Sequence, residues 1–233
     1  LGPGKMAILF WITLGLVVLT YVGYPVLLFA WDGIREMFHN ARLALGNRPR
    51  RAPEPPTKPK VWPRLSVVIA AHNEAACVLE KVKNTLALDY PSDRLEVLIG
   101  CDGCTDRTVE LARSVRDSRV SVVELPRGGK TAVLNRLIPR TSGDVVLLTD
   151  ANVMLDRGAA KALARHFSDP SVGAVVGRLC LFNRVRREYE ESLYWKYETI
   201  LKFYEGKHDC VLGANGGIYA IRKLRFSPLN ADT

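Results

Sequence analysis

The chain has 233 residues, 48% of them apolar and 24% charged, with a formal net charge of +9. That fits one medium domain with additions and a sizeable core. The basic surplus is not interleaved with aromatics and sits on no recognisable nucleic-acid module, which excludes nucleic acid as the expected partner. Both ends read as truncation points. The chain opens at Leu1 with its first methionine at Met6, and it stops at Thr233 after a proline-containing turn.

After a tail at residues 1–5, residues 6–31 carry no charged side chain. The run exceeds the roughly 20 apolar residues that cross a bilayer, and as a helix it would reach about 39 Å. A signal peptide is the competing reading, but its apolar part would be about 7–15 residues with a small-residue cleavage site. This run is longer and ends in aromatics, so one transmembrane helix is expected. Trp11 and Trp31 fall where interfacial aromatics lie, while Tyr21 and Tyr24 fall deeper.

Residues 32–63 are expected to form a basic, proline-rich juxtamembrane linker. From Asp32 to Arg64 there are eight Lys or Arg against Asp32, Glu36 and Glu54. That bias predicts contact with the lipids of the cell membrane and a cytoplasmic position for the domain after the linker. The stretch "RPRRAPEPPTKPKVWP" predicts an extended, semi-rigid spacer.

Residues 64–233 then alternate. Strands are predicted at 65–70, 95–100, 120–125 and 144–149, and helices at about 75–88, 108–115, 130–138 and 159–167. The strands are apolar enough to be buried on both faces. The fold class is therefore α/β, a mostly parallel sheet with helices on both faces. Ligands in such sheets sit outside the carboxyl ends of the strands.

Those ends read "AHNE" (71–74), "CDGCTD" (101–106), "PRGGK" (126–130) and "DAN" (150–152). Each one alone is explained by a turn. Together they place carboxylates, small residues and a lysine on one edge, which favours a shared ligand site. A nucleotide diphosphate with a metal suits them. Asp150 is a hard oxygen ligand for Mg²⁺ or Mn²⁺. Lys130 would offset charge on a leaving diphosphate, and Gly128 and Gly129 let backbone approach phosphate. Asp102 offers a hydrogen-bond acceptor to a base or ribose.

The segments "SVVIAAHNE", "EVLIGCDGCTDRT", "GGKTAVLN", "VVLLTDAN" and "GANGGIYAIRK", in that order, resemble the signature of family 2 glycosyltransferases with the GT-A fold, over residues 64–222. The similarity is to membrane-bound bacterial members that build β-linked polysaccharides, such as poly-N-acetylglucosamine, hyaluronan and cellulose synthases. The resemblance implies inverting sugar transfer from a nucleotide sugar, usually a UDP-sugar, to a glycan or lipid-linked acceptor. It implies nucleotide-sugar contacts from Ala70, His72, Glu74, Asp102, Lys130 and Asp150. It matches Asp150 and Asn152 to the family's DxD metal element, with Asn152 standing where many members have Asp. An amide still coordinates, but without charge.

In the family the general base follows the "GIYAIR"-like segment, and polymerising members carry QxxRW further on. Neither motif is clear here, so the base is expected beyond Thr233. Asp232 reads as a loop residue leading toward it. On the acceptor side, Trp195 in an aromatic helix over 189–206 has two readings, packing or stacking on a sugar. Gly216 in "GANGG" is a tight loop at the acceptor or a structural turn. Cys101 and Cys104 form a lone CxxC that predicts reduced thiols rather than a zinc or redox site. A sugar transfer to polyprenyl phosphate, or a non-catalytic nucleotide-sugar-binding fragment, are the other functions left open.

Overall fold

The computed structural model describes residues 3–44, 59–180, 182–183, 188–189, 193–208, 210, 213–214 and 217–230. Its first feature is one long helix. α1 (Pro3–Val18), a π-helical turn (Leu19–Gly23) and α2 (Tyr24–Ala44) follow without a break. Pro25 explains the π turn. It has no N–H, so it cannot donate to the carbonyl of Tyr21 four residues earlier. The Tyr24 N–H reaches back to Leu19 O instead. The stretch Gly4–Phe38 is long and apolar enough to cross a membrane by length and composition.

The helix does not end at residue 32, where the linker was expected to begin. Charge alone does not stop a helix, and Arg35, Glu36, Met37, Arg42 and Leu43 are good helix formers. The spacer starts after Ala44, and most of its proline-rich part lies outside the described residues.

The alternating part gives β1 (Leu65–Ala71), α3 (Val78–Leu86), β2 (Leu95–Asp102), α4 (Thr108–Ser114), β3 (Val120–Leu125), α5 (Gly129–Leu137), β4 (Val145–Asp150) and α6 (Ala159–Ala164). Every predicted strand is present within two residues of its expected ends. Four further strands arise from stretches that were not read as strands: β5 (Ala174–Val176), β6 (Phe182–Asn183), β7 (Glu188–Tyr189) and, after α7 (Leu193–Lys207), β8 (Tyr219–Arg222). The six-stranded sheet has the order β3-β2-β1-β4-β8-β5. Its first four strands are parallel, and β8 runs antiparallel to both β4 and β5.

Alternation along the strands builds two cores. Val67, Ile69, Val97, Ile99 and Leu147 meet Val78 and Val82 of α3, Ala112 of α4 and Leu163 of α6 on one face. Val68, Leu98, Val146 and Leu148 meet Val133, Leu134 and Leu137 of α5 on the other. Gly100 permits the close approach of α5, because a Cβ there would stand 2.4 Å from Val133 Cγ1.

The chain divides into two compact units, Glu54–Leu179 with Ala214–Thr233, and Leu1–Pro53 with Cys180–Gly213. The described residues of 180–213 fall in the unit of the amino-terminal helix. The reason is visible within that unit. The Tyr24 hydroxyl donates to Glu205 Oε1 at 2.7 Å, Lys207 Nζ pairs with Asp32 Oδ2 at 2.9 Å, and Phe29 meets Tyr204 edge-on. The Tyr197 hydroxyl donates to the Tyr21 carbonyl that Pro25 cannot serve. The aromatic helix predicted from 189 begins at Leu193, since Glu188–Tyr189 pairs as a strand with Phe182–Asn183.

Candidate functional site

The strand register sets the frame. Ala70 of β1 lies between Gly100 of β2 and Asp150 of β4, at the carboxyl ends of all three. Asp150 is the last residue of β4 and is partly exposed. After it the chain turns, with Val153 N–H donating to Asp150 O at 3.3 Å, and Asn152 stands exposed on that turn.

Lys130 meets Asp150. Its Nζ forms an ion pair and hydrogen bond with Asp150 Oδ1, linking the start of α5 to the end of β4. Both side chains keep solvent access, at 47% and 36% exposure. The helix start itself is opened by Gly129 at φ +82°, a left-handed conformation that glycine adopts without strain.

Asp102 ends β2. It is buried, and its carboxylate is already engaged by the loop before α5. Oδ1 accepts Gly128 N–H at 2.7 Å, and Oδ2 accepts Gly129 N–H at 3.0 Å and Arg127 Nη1 at 2.8 Å. Asp102 therefore shapes the Gly128–Gly129 turn and, through it, the position of Lys130.

His72 joins this arrangement. Its Nδ1 donates to the Asp102 carbonyl at 2.6 Å, since a carbonyl only accepts. In the neutral ring Nε2 is then the acceptor nitrogen. Asn73 takes the left-handed backbone at φ 54°, which asparagine tolerates. Its side chain ties to the Thr105 N–H at 2.9 Å. Glu74 opens the α3 turn. Its N–H donates to Thr108 Oγ1 at 2.8 Å, and its side chain accepts from Cys77 Sγ at 3.1 Å. Asp106 stitches the same two loops, receiving the Thr108 hydroxyl and the Thr108 and Ala75 N–H groups, and these bonds, the hydroxyl's first, hold its carboxyl below the usual range.

The structure thus connects five of the six predicted donor residues through bonds or register. His72 leads to Asp102, Asp102 to the glycine turn, the turn to Lys130, Lys130 to Asp150 and Asp150 to Ala70. Glu74 stands beside them on the β1–α3 loop. Trp195 is half-buried on α7 in the other unit, and Gly216 and Asp232 lie outside the described residues. Among the described residues no three His, Cys, Asp or Glu groups gather into a cation cage. Asp150 and Asn152 still fit a divalent ion of the hard-cation type, which is commonly held by one or two carboxylates plus substrate phosphates. Burial and the neighbouring Cys104 push the Cys101 thiol up to about 12, so it stays protonated at neutral pH.

One residue of this region does not stand out in the sequence. Lys81 of α3 is fully buried, and its Nζ donates to Thr149 Oγ1 at 2.9 Å and to the carbonyl of Val153. A charged residue in "LEKVKN" reads as solvent-facing, and only its place on the inward stripe of Val78, Val82 and Thr85 marks it out.

Comparison with known proteins identifies the family. The profile of glycosyl transferase family 2 matches residues 66–229. The chain is 29% identical over 178 residues to an N-acetylglucosaminyltransferase of Azorhizobium caulinodans, covering 73% of this chain and 45% of the relative. It is 31% identical over 139 residues to poly-β-1,6-N-acetyl-D-glucosamine synthase of Staphylococcus aureus, covering 58% of this chain and 32% of the relative. It is 32% identical over 127 residues to β-monoglucosyldiacylglycerol synthase of Synechocystis, covering 52% of this chain and 26% of the relative. The chain thus spans less than half the length of these curated relatives. Among solved structures, the mannosyltransferase PcManGT of Pyrobaculum calidifontis, in complex with GDP-Man and Mn²⁺, superposes with a TM-score of 0.64 at 25% identity. The match covers 89% of this chain and 58% of that one. The architecture is the GT-A arrangement that the sequence predicts.

Proposed function

The chain belongs to glycosyl transferase family 2, and from that premise we propose that it is a membrane-anchored inverting glycosyltransferase that moves a sugar from a UDP-sugar to a glycan acceptor. One observation carries the reading. Lys130 and Asp150 pair at the carboxyl edge of the parallel strands, beside a glycine-opened helix start. A lysine, backbone N–H groups and a carboxylate with an exposed amide two residues on form a set that suits a diphosphate and its counter-ion.

In this reading Ala70, His72, Glu74 and Asp102 border the nucleoside, and Asp102 also shapes the Gly128–Gly129 turn. Lys130 takes the diphosphate. Asp150 and Asn152 hold Mg²⁺ or Mn²⁺, which when bound would stabilise charge growing on the leaving diphosphate. The acceptor hydroxyl attacks the anomeric carbon from the face opposite the diphosphate. A new C–O bond forms as the bond to the diphosphate oxygen breaks, and the hydroxyl proton passes to a general base. We place that base beyond Thr233, and Trp195 and Gly216 on the acceptor side. The helix Gly4–Phe38 is the anchor, in the cell membrane with residues from Arg64 onward in the cytoplasm.

A glycan acceptor is supported by the names of the Azorhizobium and Staphylococcus relatives. A lipid acceptor is the second reading, favoured by the Synechocystis relative's name and by the long apolar helix. The test is UDP release from UDP-N-acetylglucosamine and UDP-glucose, with glycan and lipid acceptors in separate arms. It is run on this chain and on a version extended past Thr233. The extended chain should turn over about 10²–10⁴-fold faster, the usual contribution of a general base. Equal turnover would place the base within residues 1–233, and no release by either would refute transfer.

A further inference from the structure

The helix α3 carries a lysine where its pattern calls for an apolar side chain. Val78, Val82 and Thr85 face the core with Lys81 among them, and Lys81 is 0% exposed. A buried amine loses its hydration, so it is retained only where hydrogen bonds replace that water. A methionine or leucine of similar size would fill the same space without that cost. What the amine reaches is therefore the question.

It reaches the two sides of one turn. Lys81 Nζ donates to Thr149 Oγ1 at 2.9 Å, one residue before Asp150, and to the carbonyl of Val153, one residue after Asn152. Thr149 passes the bond on, its hydroxyl donating to the carbonyl of Gly217 at 2.8 Å. The network thus joins α3, the end of β4 and the chain entering β8. Further along α3, Asn84 grips the outgoing loop at a second point. Its Nδ2 donates to Leu155 O at 2.9 Å, and its Oδ1 accepts Leu155 N–H at 2.8 Å. Asp150, Ala151 and Asn152 are the residues held between these supports.

We propose that Lys81 is a positioning residue for the donor site: by bonding Thr149 and Val153 it fixes the turn that presents the Asp150 carboxylate and the Asn152 amide on one edge. The proposal rests on the donor-site reading given above. Lys81 touches neither donor group. It acts through the backbone that carries them, as outer-shell partners of metal ligands do.

The test is calorimetric titration of UDP into the full 233-residue chain in detergent, with and without Mn²⁺, for wild type, Lys81→Met and Val82→Ala. Lys81→Met removes the donor and keeps the volume. Val82→Ala opens a cavity on the same helix face and controls for lost stability. The metal-dependent gain in UDP affinity should fall about tenfold or more in Lys81→Met, in line with the 10–100-fold cost of removing such partners, and stay at the wild-type level in Val82→Ala. An unchanged gain in Lys81→Met, or an equal loss in Val82→Ala, would overturn the positioning role. Should Lys81→Met fail to fold, Thr149→Val cuts the same chain of bonds, and an unchanged gain there would overturn the role equally. A wild-type chain that binds no UDP with Mn²⁺ would refute the donor-site reading and this inference with it. Wild-type binding with an unaltered Lys81→Met would refute the inference alone.

Discussion

Asp102, at the end of β2, accepts the backbone N–H of Gly128 at 2.7 Å. The second oxygen takes the N–H of Gly129 at 3.0 Å. A buried carboxylate thus substitutes for water at the loop proposed to face the diphosphate. Asp102→Asn keeps the shape but replaces one of the two charged acceptor oxygens with an amide donor. It should cost about 1–3 kcal/mol of stability, the scale of leaving a buried group unpaired, and weaken UDP binding through the displaced loop. Urea denaturation and calorimetry on the same sample check both effects.

The Lys130–Asp150 pair separates function from stability. Both partners keep substantial solvent access, and exposed pairs contribute about 0–1 kcal/mol. Lys130→Ala should therefore leave the denaturation midpoint nearly unchanged while lowering UDP affinity at least tenfold. The affinity loss should shrink at high salt, where charge attraction is screened.

Lys81 gives a pH prediction with a definite sign. Burial brings its amine down to about 7 from an ordinary 10.5, a shift that the charge of Asp150 opposes. Between those values the unfolded chain holds a proton that the folded chain has released. Stability therefore rises with pH above about 7, by up to ~1.4 kcal/mol per pH unit from this group. Cys101 acts the other way above its ordinary 9.0, because its thiol is pushed up to about 12. Thermal denaturation between about pH 7 and 9 should show the rise in wild type, and Lys81→Met should flatten it.

The four parallel strands were legible because each is a short run rich in Val, Ile and Leu closed by turn residues. β5 and β8 were not, since Ala174–Val176 is three residues long and Tyr219–Arg222 ends on a charged side chain. Their pairing is fixed by β4, far away in sequence, and by Arg222, whose guanidinium donates to the carbonyls of Phe167, Val172 and Asp169. Asp150, Lys130 and His72 stand out in the sequence because they sit at strand ends or a helix start, where the strand-end rule looks. The partners of Asp102 depend on the return of the loop after β3, and the burial of Lys81 on the packing of α3. Neither is a property of local sequence.

The proposed anchor has its own check. A single cysteine at position 50, introduced as Arg50→Cys in a chain otherwise cleared of cysteine, should react with a membrane-impermeant maleimide only after lysis. The basic excess between residues 32 and 64 motivates that topology. Labelling of intact cells would reverse the orientation.

The end of β4 is proposed to hold the donor's diphosphate and its metal, and everything else in the donor site is arranged around it. Calorimetric titration of UDP with Mn²⁺ into wild type, Asp150→Ala and Asn152→Ala tests that placement without intermediaries. A hard carboxylate holds a divalent ion better than a neutral amide. Metal-dependent UDP binding is expected in wild type, with its loss in Asp150→Ala and a smaller weakening in Asn152→Ala, all with an unchanged circular dichroism spectrum. Unchanged affinity in a folded Asp150→Ala would contradict the placement, and Asp150 would then be no more than the polar cap of a buried strand.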